Sequence, residues 1–324
     1  MSGGPVVLIS ENLASEMPDL LTRYPEARFV HVPLHGEEMR PEYLEAEVLF
    51  RSAMSDELFD AILEGAENLR WVQISAAGFD WMGGPKLERR VAEGLQITRS
   101  RTSYSDGIAE YVITAIMMAA RGVGELMAAQ ERREWIRSTG REIAASRVLV
   151  LGTGAIGSAV AWRAAALGAS VVGVSRSGSV AEHFERVVTT AQLDTELADA
   201  DYVVLAMPLT PETQGLLGAE RFALMPDHAV VVNVGRGALV DEAAMQDALN
   251  AGTIAGAVVD AFVEEPLPPE SPWWTTANTI VTPHSSFRTT GMMSRLCADF
   301  CENFDLYLDD QPLVGTKKEP ALGY

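Results

Sequence analysis

The sequence predicts an α/β protein of two doubly wound parallel-sheet domains, and three observations carry that expectation. Short strand-like runs alternate with helix-like stretches from one end of the chain to the other, the pattern of a parallel sheet covered on both faces. In the second half those runs are almost all continuously apolar, as strands buried on both faces require. At 324 residues the chain exceeds one ordinary domain of roughly 100–200 residues. The boundary is expected near residue 100: 1–100 with about 288–324 in one domain, 101–287 in the other.

The elements follow in order. In the first hundred residues the expected strands are 6–9, 28–32, 48–50, 71–74 and 96–98, each short and rich in Val, Ile, Phe or Trp. Between them 56–65 carries Leu58, Phe59 and Ile62 at helical spacing. A long helix is expected over 106–121, where Ile108, Tyr111, Val112, Ala115, Met118 and Ala119 recur at helical intervals, and another helical stretch over 125–135. The second strand series is 148–151, 170–174, 202–206, 229–233, 256–260 and 279–281. A last helix over 289–308 is expected to return to the first domain.

Composition narrows the function. Lys and Arg total 25 against 45 Asp and Glu, a net charge of −20 and a pI near 4.6. This argues against binding that draws its affinity from nucleic-acid phosphates or an anionic membrane. Three residues, Lys86, Lys317 and Lys318, are the whole lysine complement, so the positive charge is nearly all arginine. Cys297 and Cys301 are too few for a disulfide framework or a structural zinc site and read as core thiols. The N-terminus enters a strand-like run without a basic leader, and the longest near-apolar run, 111–120, is half a membrane span. A cytoplasmic protein is expected. No G-x-S-x-G, H-E-x-x-H or G-K-[ST] motif and no His/Cys cluster is present, so no metal is expected.

The first motif with chemistry is Gly152-Thr-Gly154-Ala155-Ile156-Gly157, set directly after a strand and opening a helix. Gly152 permits the tight turn, Gly154 lets the backbone approach a pyrophosphate, and Gly157 allows close helix–strand packing. The helix N-terminus adds unpaired N–H groups and a positive dipole end. The following strand ends in Ser175-Arg176-Ser177 where an NAD site would carry Asp or Glu. An arginine there can clamp a 2′-phosphate with hydroxyls adding hydrogen bonds; otherwise it is an exposed turn arginine. NADP(H) is the expected cofactor, with NAD(H) also possible.

Three further segments place polar residues at the carboxyl ends of apolar strands, where ligands bind in open α/β sheets. They are Asn233-Val234-Gly235-Arg236-Gly237, Asp260-Ala-Phe-Val-Glu264-Glu265-Pro266 and Thr282-Pro-His284-Ser-Ser286. An imidazole, titrating near neutrality, suits a proton transfer, and an arginine can hold anionic oxygens in place.

With these residues in place, the sequence resembles the D-2-hydroxyacid dehydrogenase family, which shares a glycine fingerprint, an N-V-x-R-G turn, a D-x-F-x-x-E-P segment and a T-P-H segment in this order. The resemblance covers most of the chain. It implies a Rossmann cofactor domain and a flavodoxin-like substrate domain. It puts the substrate arginine on Arg236, the acid/base histidine on His284 and its carboxylate partner on Glu265, with adjacent Glu264 as a rival. Asp260 takes the place of the acid at the nicotinamide end. Ser75-Ala76-Ala77-Gly78 corresponds to the loop whose amides hold the substrate carboxylate. Met207, Pro208 and Thr213 line the adenine side, while Val234, Gly235, Arg236, His284 and Ser286 complete the cofactor contacts. Glu265-Pro-Leu-Pro and Trp273-Trp274 resemble the glyoxylate/hydroxypyruvate reductase branch.

The resemblance also implies a homodimer through 106–121 and 125–135, stretches that otherwise read as intradomain core. D-A-F stands where the family more often has D-V-F, a small packing change. The chain stops at Tyr324, an argument against the longer phosphoglycerate dehydrogenase branch. Two rivals stay open: a broad-range reductase for larger 2-oxo acids, and a corepressor-like protein that senses the dinucleotide. His31, His35, His183 and His228 have no comparable setting and read as structural or exposed.

Overall fold

The computed structural model describes residues 4–34, 38–52, 54–76, 78, 82–100 and 102–316. The chain divides into two compact units, Met1–Tyr104 with Thr289–Tyr324, and Ser105–Arg288.

In the first unit β1 (Val6–Ser10), β2 (Arg28–Val32), β3 (Val48–Arg51), β4 (Trp71–Ile74) and β5 (Gln96–Arg99) form a parallel sheet of order β2-β1-β3-β4-β5. The connecting helices are α1 (Glu11–Glu16), α2 (Pro18–Arg23), α3 (Asp56–Gly65) and α4 (Pro85–Ala92). Ser55 caps α3 by accepting from Leu58 N–H at 3.2 Å. One core face of the sheet packs Leu8, Leu49, Val72 and Ile97 against Leu58, Ile62 and Leu63. The last helix of the chain, Met292–Leu308, joins this unit for a local reason. Its Phe300 stacks on Phe50 at 4.4 Å and on Trp71 at 5.3 Å, rings that bury large area at modest entropy cost. Cys297 and Cys301 are free thiols with their sulfurs 3.9 Å apart; Cys301 is buried and Cys297 half-buried.

In the second unit the helices are α5 (Ser105–Ala120), α6 (Val123–Arg132), α7 (Ala155–Ala166), α8 (Leu193–Leu197), α9 (Ala219–Phe222) and α10 (Glu242–Asn250), which makes Met292–Leu308 α11. The strands are β6 (Arg147–Leu151), β7 (Ser170–Ser175), β8 (Arg186–Thr189), β9 (Tyr202–Leu205), β10 (Val230–Asn233), β11 (Gly256–Val259) and β12 (Thr279–Val281). Their order is β12-β11-β10-β9-β6-β7-β8, with every pairing parallel. The strand order reverses between β6 and β9, the switch point at which open α/β sheets bind ligands.

One helical expectation changes, and further elements come without a sequence signal strong enough to predict them. The stretch expected over 125–135 ends at Arg132, because Arg133 turns left-handed (φ 59°), and Trp135 beyond it is 94% exposed. β8 and α10 were not expected. β8 offers only Val187 and Val188 as an apolar signal, and α10 is announced by Asp241, whose carboxylate accepts from Ala244 N–H at 3.1 Å. Among the described residues, no single helix is long and apolar enough to cross a membrane, and no group of three or more His, Cys, Asp or Glu could hold a metal ion.

Candidate active site

The glycine turn lies at the switch point. Gly152 has φ +109°, and a Cβ there would stand 2.5 Å from the carbonyl oxygen of Ala206 at the end of β9; glycine alone fits. A Cβ on Gly157 would be 1.8 Å from Gly152 O, so α7 meets its strand at van der Waals distance only through glycine. Gly154 differs, since a Cβ there would meet nothing within 4 Å. Its backbone borders open space at the start of a 12-residue helix, with Ala155 exposed and Ile156 half-buried. Residues of this kind fit a dinucleotide pyrophosphate.

At the end of β7, Arg176 and Ser177 are exposed and Ser175 is half-buried. The Ser175 hydroxyl accepts from Gly178 N–H at 3.1 Å, which shapes the turn. Across from it, Glu212 has its carboxyl held below the usual range, chiefly by a hydrogen bond from Thr210, with Arg176 a smaller contributor. Sequence reading missed Glu212; its neighbourhood to Arg176 is a product of the fold. After β9, Met207 is buried and Pro208 exposed. The Thr213 hydroxyl ties the loop by donating to Pro208 O at 2.8 Å and accepting from Thr210 N–H at 2.8 Å.

The turn after β10 is braced by Asn233. Its side chain donates to Arg236 O at 3.1 Å and accepts from Gly235 N–H at 3.1 Å. Val234 and Gly235 are thereby buried and Arg236 stands half-buried on the loop, its Nη1 donating to Gly235 O at 2.9 Å.

The loops after β11 and β12 meet. Asp260, 1% exposed, accepts from the Thr282 hydroxyl at 2.6 Å and Ser285 N–H at 2.9 Å on one oxygen, and from Ser286 N–H at 3.0 Å on the other. These bonds end β11 one residue earlier than expected, since Asp260 is drawn into the loop. Glu265 accepts from Phe262 N–H at 2.8 Å through Oε1, and its Oε2 lies 2.8 Å from His284 Nδ1. With Nδ1 paired to a carboxylate, Nε2 is the ring nitrogen available to a bound molecule. His284 is left-handed (φ 48°) with its N–H on Thr282 O at 3.0 Å, and its ring meets Phe287 edge-on at 6.1 Å. The pair is partly open to solvent, the His284 side chain 38% and Glu265 35% exposed.

Of the expected substrate loop, Ala76 and Gly78 belong to the first unit, following β4, and Ala77 lies outside the described residues. The Tyr104 hydroxyl donates to Ser75 O in that loop.

Residues 113–286, more than half of the chain, match the model of the D-isomer specific 2-hydroxyacid dehydrogenase, NAD binding domain. The chain belongs to the D-isomer specific 2-hydroxyacid dehydrogenase family. A glyoxylate reductase of Aeropyrum pernix is 30% identical over 310 residues, 92% of this chain and 91% of that protein. A D-3-phosphoglycerate dehydrogenase of Mycobacterium tuberculosis is 34% identical over 308 residues, covering 94% of this chain. The chain spans 57% of that relative's length. The solved D-isomer specific 2-hydroxyacid dehydrogenase of Xanthobacter autotrophicus, in complex with NADPH and MES, superposes with a TM-score of 0.86 at 30% identity, covering 100% of both chains. The dehydrogenase family is one of oxidoreductases, and the similarity runs to phosphoglycerate dehydrogenases as well as to glyoxylate reductases.

A second polar residue of this chain, besides Glu212, carries no signal in the sequence. Tyr111 on α5, expected in an apolar helical stripe, has its hydroxyl 2.6 Å from that of Thr282. Helical periodicity signals burial, and an aromatic ring satisfies it whether or not its hydroxyl has a partner.

Proposed function

We propose that the protein reduces a small 2-oxo acid of the glyoxylate or hydroxypyruvate kind to the D-2-hydroxy acid, with NADPH preferred over NADH. The observation that carries this reading is the 2.8 Å pair between His284 and Glu265 in a unit whose glycine turn fits a dinucleotide. When bound, the cofactor's nicotinamide would supply the hydride for the carbonyl carbon. His284 gives its Nε2 proton to the carbonyl oxygen as negative charge develops there, and Glu265 holds the imidazolium by its Nδ1–H. Arg236 binds carboxylate and carbonyl oxygen together, which orients the reacting face. The amides of Ala76 and Gly78 serve the substrate carboxylate in the same reading.

Gly154, Ala155 and Ile156 would hold the pyrophosphate, and Arg176 with Ser175 and Ser177 the 2′-phosphate. The positive charge needed for two anionic ligands is thus local in a chain of net charge −20. A cytoplasmic homodimer belongs to this reading as well.

The test is cofactor oxidation with glyoxylate, hydroxypyruvate and bulkier 2-oxo acids, NADPH and NADH side by side, together with 3-phosphoglycerate in the reverse direction. Turnover of the small acids is expected. No turnover of any compound favours the dinucleotide sensor, and preference for large acids favours the broad-range reductase. Arg176→Asp is expected to lower the NADPH-to-NADH ratio of kcat/KM by roughly 10–100-fold, the range for losing hydrogen bonds to a charged group. An unchanged ratio sinks the cofactor assignment.

A further inference from the structure

We propose that Tyr111 is a positioning residue for His284, acting through Thr282 and Asp260. The inference rests on the reading of His284 as proton donor and extends the site to a helix that carries none of its expected residues.

The direction of the hydrogen bonds decides what Tyr111 does. Asp260 is buried and accepts from Thr282 Oγ1 at 2.6 Å. A threonine hydroxyl has one proton, and here it is spent on the carboxylate. The 2.6 Å contact between Tyr111 and Thr282 therefore runs from the tyrosine O–H to the threonine oxygen. The chain is Tyr111 to Thr282 to Asp260. Burial pushes the Tyr111 hydroxyl above the usual phenol range, which keeps its proton in place.

Asp260 closes the clamp on the far side by accepting from Ser285 and Ser286 N–H at 2.9 and 3.0 Å. His284 thus sits between two held points, Thr282 before it and Ser285 and Ser286 after it. Its φ of 48° is a backbone state that a residue with a Cβ adopts at a cost, and one that persists only when the surroundings over-determine it. Thr282 serves twice, through its hydroxyl to Asp260 and through its carbonyl, which accepts His284 N–H at 3.0 Å. Removing the Tyr111 proton leaves the Thr282 oxygen without its donor and frees that hydroxyl to rotate off Asp260. The imidazole then loses its fixed approach to the carbonyl oxygen, while the glycine turn that serves the cofactor is untouched.

The experiment compares Tyr111→Phe, Thr282→Val, Thr282→Ser and His284→Ala with the fastest 2-oxo acid of the panel and NADPH. Tyr111→Phe is expected to lower kcat about 10-fold and Thr282→Val about 100-fold, the scale on which a misplaced group slows a reaction. Thr282→Ser, which keeps the hydroxyl, should restore turnover close to that of the parent. KM and the NADPH Kd, read by fluorescence, should stay near the parent values in Tyr111→Phe. Its solvent deuterium isotope effect on kcat should rise, because proton delivery becomes slower. The double variant Tyr111→Phe/Thr282→Val should be no slower than Thr282→Val alone, since the two act as one chain.

Parent kcat and isotope effect in Tyr111→Phe, with His284→Ala inactive, overturn the positioning role and leave the reading of His284 intact. Full turnover in His284→Ala sinks both. If Tyr111→Phe does not fold by circular dichroism, the Thr282 pair decides, and equal kcat in Thr282→Val and Thr282→Ser overturns the proposal.

Discussion

Replacing His284 by alanine is expected to abolish nearly all 2-oxo acid reduction, lowering kcat by roughly 10³-fold, within the range that a positioned general acid contributes. The NADPH Kd should change far less than kcat, because the variant removes one contact at the nicotinamide end and leaves Gly152, Gly154 and Gly157 in place. The size of the effect follows from geometry. Nδ1 is committed to Glu265 at 2.8 Å, the backbone is held left-handed, and Nε2 is the ring atom left to deliver the proton. Water in the vacated space, even beside Glu265, is a far weaker acid than an imidazolium and has no fixed direction. Glu265→Gln should be milder, with kcat lower by about 10-fold: its one amide oxygen can still accept from Nδ1–H, but the NH2 then faces Phe262 N–H and the imidazolium charge goes unanswered. Single-turnover measurements separate the step from product release. Full kcat in the alanine variant would remove His284 from the mechanism.

Gly237→Ala is expected to damage both the fold and the site. A Cβ on Gly237 would stand 2.0 Å from the carbonyl carbon of Phe262, 2.2 Å from Val263 N and 2.5 Å from Phe262 O. All three atoms are backbone, so no side chain can turn aside. The peptide that must move is itself held on both sides: Phe262 N–H donates to Glu265 Oε1 at 2.8 Å and Val263 N–H to Glu242 Oε1 at 2.9 Å. Moving it pulls Glu265 away from His284. A loss of about 3 kcal/mol is expected, at the upper end for overpacking. For a unit of this size that lowers Tm by about 6–12 °C. At temperatures where the variant remains folded, kcat should be lower by about 100-fold, as for other displaced groups. Gly154→Ala is the control. Its Cβ meets open space, so Tm should hold while NADPH affinity falls. Parent stability in Gly237→Ala would contradict the close approach of the two loops.

The family motifs were legible because each is contiguous. Gly152 to Gly157, Asn233 to Gly237, Asp260 to Pro266 and Thr282 to Ser286 each follow an apolar strand within a few residues, and that adjacency is what a parallel sheet converts into a row of loops at one end. The misses have equally local reasons. β8 is an edge strand with two apolar residues, Val187 and Val188, too short a run to stand out. α6 stops at Arg132 because Arg133 adopts φ 59°, a state that no residue type at that position announces. Glu264 and Glu265 are adjacent carboxylates of one type, and only the bond from Phe262 N–H, which turns Glu265 Oε2 toward His284, separates them.

By itself the sequence determined the two parallel sheets, the glycine turn with its neighbouring arginine, and the set of loops that carry chemistry. Those properties rest on side-chain periodicity and on the steric needs of glycine, which act over a few residues and are written locally. The tertiary structure alone decided which carboxylate meets the imidazole, what Gly237 must pass, and that a tyrosine hydroxyl on α5 reaches Thr282 from 171 positions away. Hydrogen bonds act over about 3 Å, so their partners are set by where the folded backbone brings two loops together, and that distance has no counterpart in the order of residues along the chain.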